Sequence, residues 1–290
     1  MAREYYYQIA GLPDLFLDQE RKDFNLIKLK EEMQELLHPD DYRLVELLFL
    51  EYDNFNFQNF LFERNQEFSP LGKFPQEVYN EFDDNLELFP EYIRYFYLIY
   101  KGKASSADEI GEMEESTNYA GEKIEKPSEV LFQEFFFKHI KRFDNRFVNQ
   151  WFEFLRNFNN TLTALSCRNH GMDIAPQLIG VDELVESLTR SQAPDFGLKK
   201  EIDYIEILLQ IAEINDIIER ERRLDLLKWE MVDKITTFDY FTIERILAFF
   251  VKAGMVYRWT KLDPKIGAEM FHKLVKDLRE TYELPKEFAK

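Results

Sequence analysis

The sequence predicts an all-α protein: a multi-helix bundle of related helical units, with residues 1–290 forming a single helical domain. Three observations carry that class. Gly and Pro number only 10 each, too few for an architecture that turns at every hairpin. Apolar residues recur at spacings of three and four, the period of one helix face. Sustained two-residue alternation between hairpin turns does not occur. Large apolar volume for the bundle core comes from 28 Phe, 15 Tyr and 3 Trp.

Taken in order, Leu26, Leu29, Met33, Leu36 and Leu37 line one face of a first long helix. Prolines at 13, 39, 70, 75, 90, 176, 194, 264 and 285 punctuate the chain, leaving stretches of helical length between them. Residues 101–129, KGKASSADEIGEMEESTNYAGEKIEKPSE, are poor in large apolar side chains and rich in Ser, Gly and Glu. They read as an acidic mobile loop or insertion. Ile202, Ile205, Leu208, Leu209, Ala212 and Ile218 then predict a longer helix running to Ile235. Asp239 or Thr242 is placed to cap a further helix carrying Ile246, Leu247, Phe249 and Phe250.

A repeat lies among the aromatics. NFQNFLFERN (56–65) and NTLTALSCRN (160–169) align without a gap, so that Asn56 meets Asn160, Leu61 meets Leu165 and Arg64 meets Arg168. The offset of 104 residues predicts repeated helical units rather than a short-period solenoid.

Charge and composition narrow the function. A formal charge of −18 argues against nucleic acid, which needs a concentrated basic surface. The charge is uneven: residues 251–290 hold 9 Lys/Arg against 6 Asp/Glu, and Lys273, Lys276 and Arg279 mark a candidate partner surface there. One cysteine makes no internal disulfide, no apolar run is long enough to span a bilayer, and the opening residues lack the form of a signal peptide. A cytoplasmic location is expected.

Candidate chemistry is sparse. Cys167 and His170 stand three apart, yet no cysteine-enzyme signature surrounds them, and the first repeat copy has Glu63 and Gln66 at those places. The expectation is a scaffold helix ending at Gly171. Two Glu-x-x-His pairs, Glu35 with His38 and Glu269 with His272, have the spacing that places a carboxylate and an imidazole on one helix face, as in di-metal carboxylate bundles. That leaves a di-metal enzyme as an alternative; otherwise no catalytic residue and no cofactor are expected. P-loop, dinucleotide-binding and nucleophile-elbow patterns are all missing.

Two stretches carry a resemblance: Tyr5-Tyr6-Tyr7-Gln8-Ile9-Ala10-Gly11-Leu12-Pro13-Asp14, and Tyr240-Phe241-Thr242-Ile243-Glu244-Arg245-Ile246-Leu247-Ala248-Phe249 leading to Arg258-Trp259. They resemble an uncharacterised bacterial family associated with V/A-type rotary ATPases, itself similar to a divergent form of their C-type central-stalk component (d-type in the eukaryotic enzymes). Repeats of the C/d-type component carry an Asn-Leu pair before a helix ending in Arg, and Asn56-Phe57 with Arg64 and Asn160-Thr161-Leu162 with Arg168 are similar to it. The resemblance implies a non-catalytic, funnel-like helical protein of three related units, seating the rotor stalk on the membrane proteolipid ring. The partners it implies are other ATPase subunits, met on the cytoplasmic side of the membrane. An acidic helical adaptor unrelated to the ATPase is the remaining alternative.

Overall fold

The computed structural model describes residues 3–17, 25–103 and 125–261. Among them the protein is all-helical, with eleven α-helices, three short 3₁₀ turns and no strand. The helices are α1 (Tyr6–Ala10), α2 (Leu26–Leu36), α3 (Pro39–Leu61), α4 (Gln76–Asn80), α5 (Glu91–Tyr100), α6 (Ser128–Ile140), α7 (Arg146–His170), α8 (Glu183–Arg190), α9 (Ile205–Ala212), α10 (Ile217–Ile235) and α11 (Ile243–Lys261). Consecutive helices pack as hairpins: α2 on α3, α6 on α7 and α10 on α11, with the long helix second in the first two. Direct α3–α11 and α7–α10 contacts join these hairpins into one bundle.

Local chemistry starts and stops these helices where the backbone has unpaired groups. The Asn25, Asn145, Asp182 and Asp216 side chains accept from the amide three residues on, at 2.9–3.2 Å. His38 plays the same part for α3 through Nδ1, at 3.3 Å from the Asp40 amide, with Pro39 in the first turn. At the other end of α7, Gly171 adopts the left-handed conformation, φ 65°, and the Met172 amide donates to the Cys167 carbonyl at 2.9 Å. Glycine carries that φ without steric cost, which stops the helix after His170.

The structure corrects several sequence expectations. Leu36 is exposed, because α2 ends there and only Leu26, Met33 and Leu37 of its stripe are buried. The helix expected from Ile202 to Ile235 is two helices, since Asp216 caps a new start and Ile218 faces solvent. Thr242 directly precedes α11, whereas the Asp239 carboxylate binds the Arg146 guanidinium. The segment 101–129 is structured at both edges: Lys101 closes α5, Ser128 opens α6, and Lys126 is buried. Residues 104–124 of it lie outside the described residues.

Phenylalanine fills the junction of the first two hairpins. Phe57 of α3 lies 5.4 Å from Phe82 and 5.1 Å from Phe132 of α6, between ring centroids. Phe96 of α5 is 5.1 Å from Phe132, and Phe136 is 5.5 Å from Phe152 of α7. Mixed edge-on and tilted geometries at these distances are what the aromatic quadrupole favours.

Inside this framework the segments following α3 and α7 are held by buried side chains. Asn56 accepts the Ser69 amide at 2.8 Å and donates to the Ser69 carbonyl at 2.9 Å. Asn160 makes the same two bonds with Ile179, at 2.9 and 2.8 Å. One turn before Asn56, the Asp53 carboxylate accepts from the Lys73 amide at 2.9 Å, the Phe74 amide at 3.2 Å and the Tyr79 hydroxyl at 3.2 Å. Gly72 permits this approach, since a Cβ there would lie 2.5 Å from Asp53 Oδ1. Lys30 of α2 completes the cradle by donating to the Leu71 carbonyl at 2.9 Å. On the second side, the buried Lys126 ammonium pairs with Glu134 and donates to the Leu178 carbonyl at 2.9 Å and the Gly180 carbonyl at 3.2 Å.

Truncation of either asparagine removes two bonds and leaves a part-buried amide and carbonyl unpaired. Asn56→Ala and Asn160→Ala are each expected to cost about 2–4 kcal/mol. Thermal denaturation should show a fall of about 5–10 °C for each; an unchanged melting temperature would refute the assignment.

A second expectation concerns acid. The His139 ring lies 4.8 Å from the Tyr92 ring and 5.3 Å from Phe143, and its Nδ1 has no hydrogen-bond partner. Burial, assisted by Arg142 and opposed by Glu91, pulls its pKa down to about 4. The unfolded chain takes up this proton near pH 6.5 and the fold resists it, so stability present above pH 6.5 is lost as pH falls toward 4. Partial solvent contact limits the loss to about 2 kcal/mol. Denaturant titrations at pH 7 and 4.5 should show that His139→Leu loses less stability over this interval than wild type.

Candidate functional site

A cleft of about 300 Å³ opens where α3, α7, α10 and α11 meet. Helix α3 offers Leu48, Glu51 and Tyr52; α7 offers Trp151, Leu155 and Asn159; α11 offers Val251, Gly254, Met255 and Arg258. Each set is spaced at three or four residues, so each long helix turns one stripe toward the same opening. The sequence builds these stripes from mixed residues: aromatic and aliphatic groups form the walls, with Glu51, Asn159 and Arg258 among them.

Helix α10 supplies the floor through Asp225 and Lys228. Asp225 is buried and fully engaged: it accepts the Trp259 indole N–H at 2.8 Å, pairs with the Arg258 guanidinium, and has Lys228 Nζ at 3.6 Å. Arg258 extends the network to Glu221 at 3.2 Å. The Tyr52 hydroxyl is held protonated well above the usual phenol range, by burial first and by Glu51 and Tyr257 after it. Gly254 of α11 faces that hydroxyl, which a Cβ there would meet at 3.4 Å, about van der Waals contact. Burial also raises the pKa of Glu51, opposed by Lys228, so the cleft combines a carboxylate saturated with donors, a second carboxyl pushed toward its neutral form, an un-ionised tyrosine and apolar walls.

The residues singled out in the sequence fall elsewhere. Cys167 is buried in α7, and burial, then Asp173, raises its thiol pKa. His170 is exposed, with Nδ1 at 2.8 Å from the Ser166 carbonyl. Glu35 and His38 do not share a helix face: α2 ends at Leu36, and extended backbone before Pro39 turns His38 into the cap of α3, with Nε2 at 3.3 Å from Arg3. Glu269 and His272, like Lys273, Lys276 and Arg279, lie outside the described residues. Among the described residues no three His, Cys, Asp or Glu side chains are grouped to hold a metal ion.

Asn56 and Asn160 do matching work, but the two arginines do not. Arg168 donates to the Ala193 and Ser191 carbonyls, both at 2.8 Å, and stacks 3.8 Å from the Phe196 ring. Arg64 lies past the end of α3 and makes a surface pair with Glu129 at 3.0 Å. Sequence reasoning missed Asp53, Lys126 and Asp225. Asp53 had a faint signal, an acid one turn before Asn56 in an aromatic helix. Lys126 and Asp225 had none, since both sit in charged runs that read as solvated.

Among the described residues, fold and cleft define an all-helical bundle with an open cleft between its long helices, and no helix long and apolar enough to cross a membrane. The chain belongs to the family described as Protein of unknown function (DUF2764), whose model matches residues 1–282. No curated protein and no solved structure matches it.

The Asp225 network predicts an asymmetry. Asp225→Ala leaves Arg258 and the Trp259 N–H without their buried acceptor and is expected to cost about 3 kcal/mol. Glu221→Ala removes only the exposed half of the network, for about 0–1 kcal/mol. Urea denaturation of the two variants measures the difference.

Proposed function

We propose that this protein is a non-catalytic central-stalk component of a V/A-type rotary ATPase, similar to the C/d-type component, seating the rotor stalk on the membrane proteolipid ring. The observation that carries the reading is the convergence of α3, α7 and α11 on one open cleft, each long helix being the second member of a helical hairpin or preceded by its packed partner. Three helix-hairpin units around a common opening fit the funnel that the resemblance implies.

Torque transmission requires a bundle that does not yield locally. The buried Asn56, Asp53, Asn160 and Lys126 contacts fasten irregular segments to the long helices, and the aromatic core joins the first two hairpins. The cleft walls supply salt-insensitive apolar contact, while Lys228 and Arg258 supply charge that orients a partner. On this reading the protein is peripheral on the cytoplasmic side of the membrane, held there through its partners, and Lys273, Lys276 and Arg279 supply the charge that meets the membrane sector.

Affinity purification of the full chain from native membranes tests the proposal. Recovery of ATPase stalk and ring subunits is the expected result. Asn159→Arg, an exposed substitution at the cleft rim, should lower stalk recovery at least about tenfold with an unchanged melting temperature. Reversal of Lys273, Lys276 and Arg279 to Glu should weaken retention on the membrane sector. Failure of the folded protein to bind ATPase-containing membranes at low salt would refute the reading.

A further inference from the structure

Helices α10 and α11 pack antiparallel, and their contacts fix where α11 stops against its partner. Lys252 pairs with Asp233, and six residues later Arg258 meets Asp225 and, at 3.2 Å, Glu221. Helix α11 reaches Lys261 within the described residues, so the first turn of α10 runs on beyond these contacts. There Ile217 is 65% exposed and Ile218 is 70% exposed. Three residues before Ile217, Ile214 lines a groove of about 240 Å³ between α9 and α10. The other apolar walls of that groove are Ile207, itself about half exposed, Ile211, Leu226 and Leu227. Single exposed apolar residues are ordinary on a protein surface, but exposed isoleucines next to an apolar groove form an unpartnered face.

The residues that follow α11 carry a matching pattern. In the sequence, Leu262, Ile266, Met270, Leu274, Leu278 and Tyr282 recur every four positions, with Phe271 and Val275 beside them. Such spacing sets apolar residues on one helix face, the pattern of a segment that anchors in a groove. Asp263-Pro264 stands between this pattern and α11, and proline there interrupts a helix running straight on. Distance permits a return to α10. Arg258 touches Glu221, one turn from Ile217 and Ile218, and the five residues from Lys261 to Ile266 span up to about 17 Å. Charge permits it as well. Residues 262–290 hold six Lys/Arg and six Asp/Glu, so the formal charge of −18 rests on residues 1–261 and does not repel them. The one charge within the stripe, Asp277, has a counterpart in Arg223 on the groove wall. A segment tethered beside the face reaches it at a high effective concentration, which a free partner lacks.

We propose that residues 266–282 dock through this apolar stripe onto Ile217, Ile218 and the α9–α10 groove of the same chain. Lys273, Lys276 and Arg279 fall outside the stripe, so docking turns them away from the bundle. The proposal goes beyond the stalk reading without resting on it, because the contact is internal to the chain and needs no ATPase subunit.

Amide hydrogen exchange of the purified full chain tests it, and a failure of the stalk reading leaves this outcome untouched. In wild type, residues 266–282 are expected to exchange at least about tenfold more slowly than a free chain. The Ile217→Ser/Ile218→Ser double variant should bring them to the free rate while α3 and α7 exchange as before, since both isoleucines lie outside the core. Leu274→Lys/Leu278→Lys, placed in the segment itself, should have the same effect and also speed exchange at the start of α10. The proposal is overturned if residues 266–282 exchange freely in wild type, or if either double variant leaves their protection unchanged. Protection that grows with protein concentration from about 1 to about 100 µM would assign the face to a second copy of the chain and overturn it as well.

Discussion

A buried asparagine amide presents a donor and an acceptor side by side, as a peptide group does, and it pairs edge-on with a passing backbone. That contact organises both halves of the α3–α7 region. Helix α3 holds the segment after it through Asn56 and Ser69, and α7 holds its own through Asn160 and Ile179. The irregular segments carry polar backbone groups that cannot be buried unpaired. With the amides in place these segments close against the bundle, and the aromatic side chains that follow α3, Phe74, Tyr79, Phe82 and Phe89, become core.

Around each amide the structure spends different residues on the same task. The first side uses the Asp53 carboxylate to gather amides and Lys30 to meet a carbonyl. The second uses an ammonium, Lys126, to meet two carbonyls, with Glu134 accepting the Gly180 amide at 2.8 Å. Shared geometry with exchanged charge explains why the asparagines align in sequence while Asp53 and Lys126 do not. The aligned arginines have parted: one stacks and clamps, and the other sits at the surface.

With the loops fastened and the phenylalanine core closed, the long helices are left with one face that no described residue fills. The cleft is the result, and the Asp225 network beneath it keeps its charged groups satisfied in the absence of a partner. The first residues of the described chain are tied to the α10–α11 turn through one backbone bond and one ring contact, with Tyr6 and Phe241 about half exposed.

The helical class, the stop at Gly171 and the Asn56–Asn160 match were legible in the sequence, because they depend on residues within a few positions or on a repeated pattern. Local signals failed where they were evenly balanced. The apolar spacing from Ile202 to Ile235 is continuous, and only the Asp216 cap divides it. Tertiary structure alone decided that Lys126 is buried, that Asp225 is a floor rather than a solvated acid, and that Tyr6 meets Phe241. The physical reason is distance along the chain. Each of these environments is made by a partner 33 or more residues away, as between Asp225 and Arg258, and no periodicity or composition encodes which distant group will neutralise a charge or leave a ring uncovered.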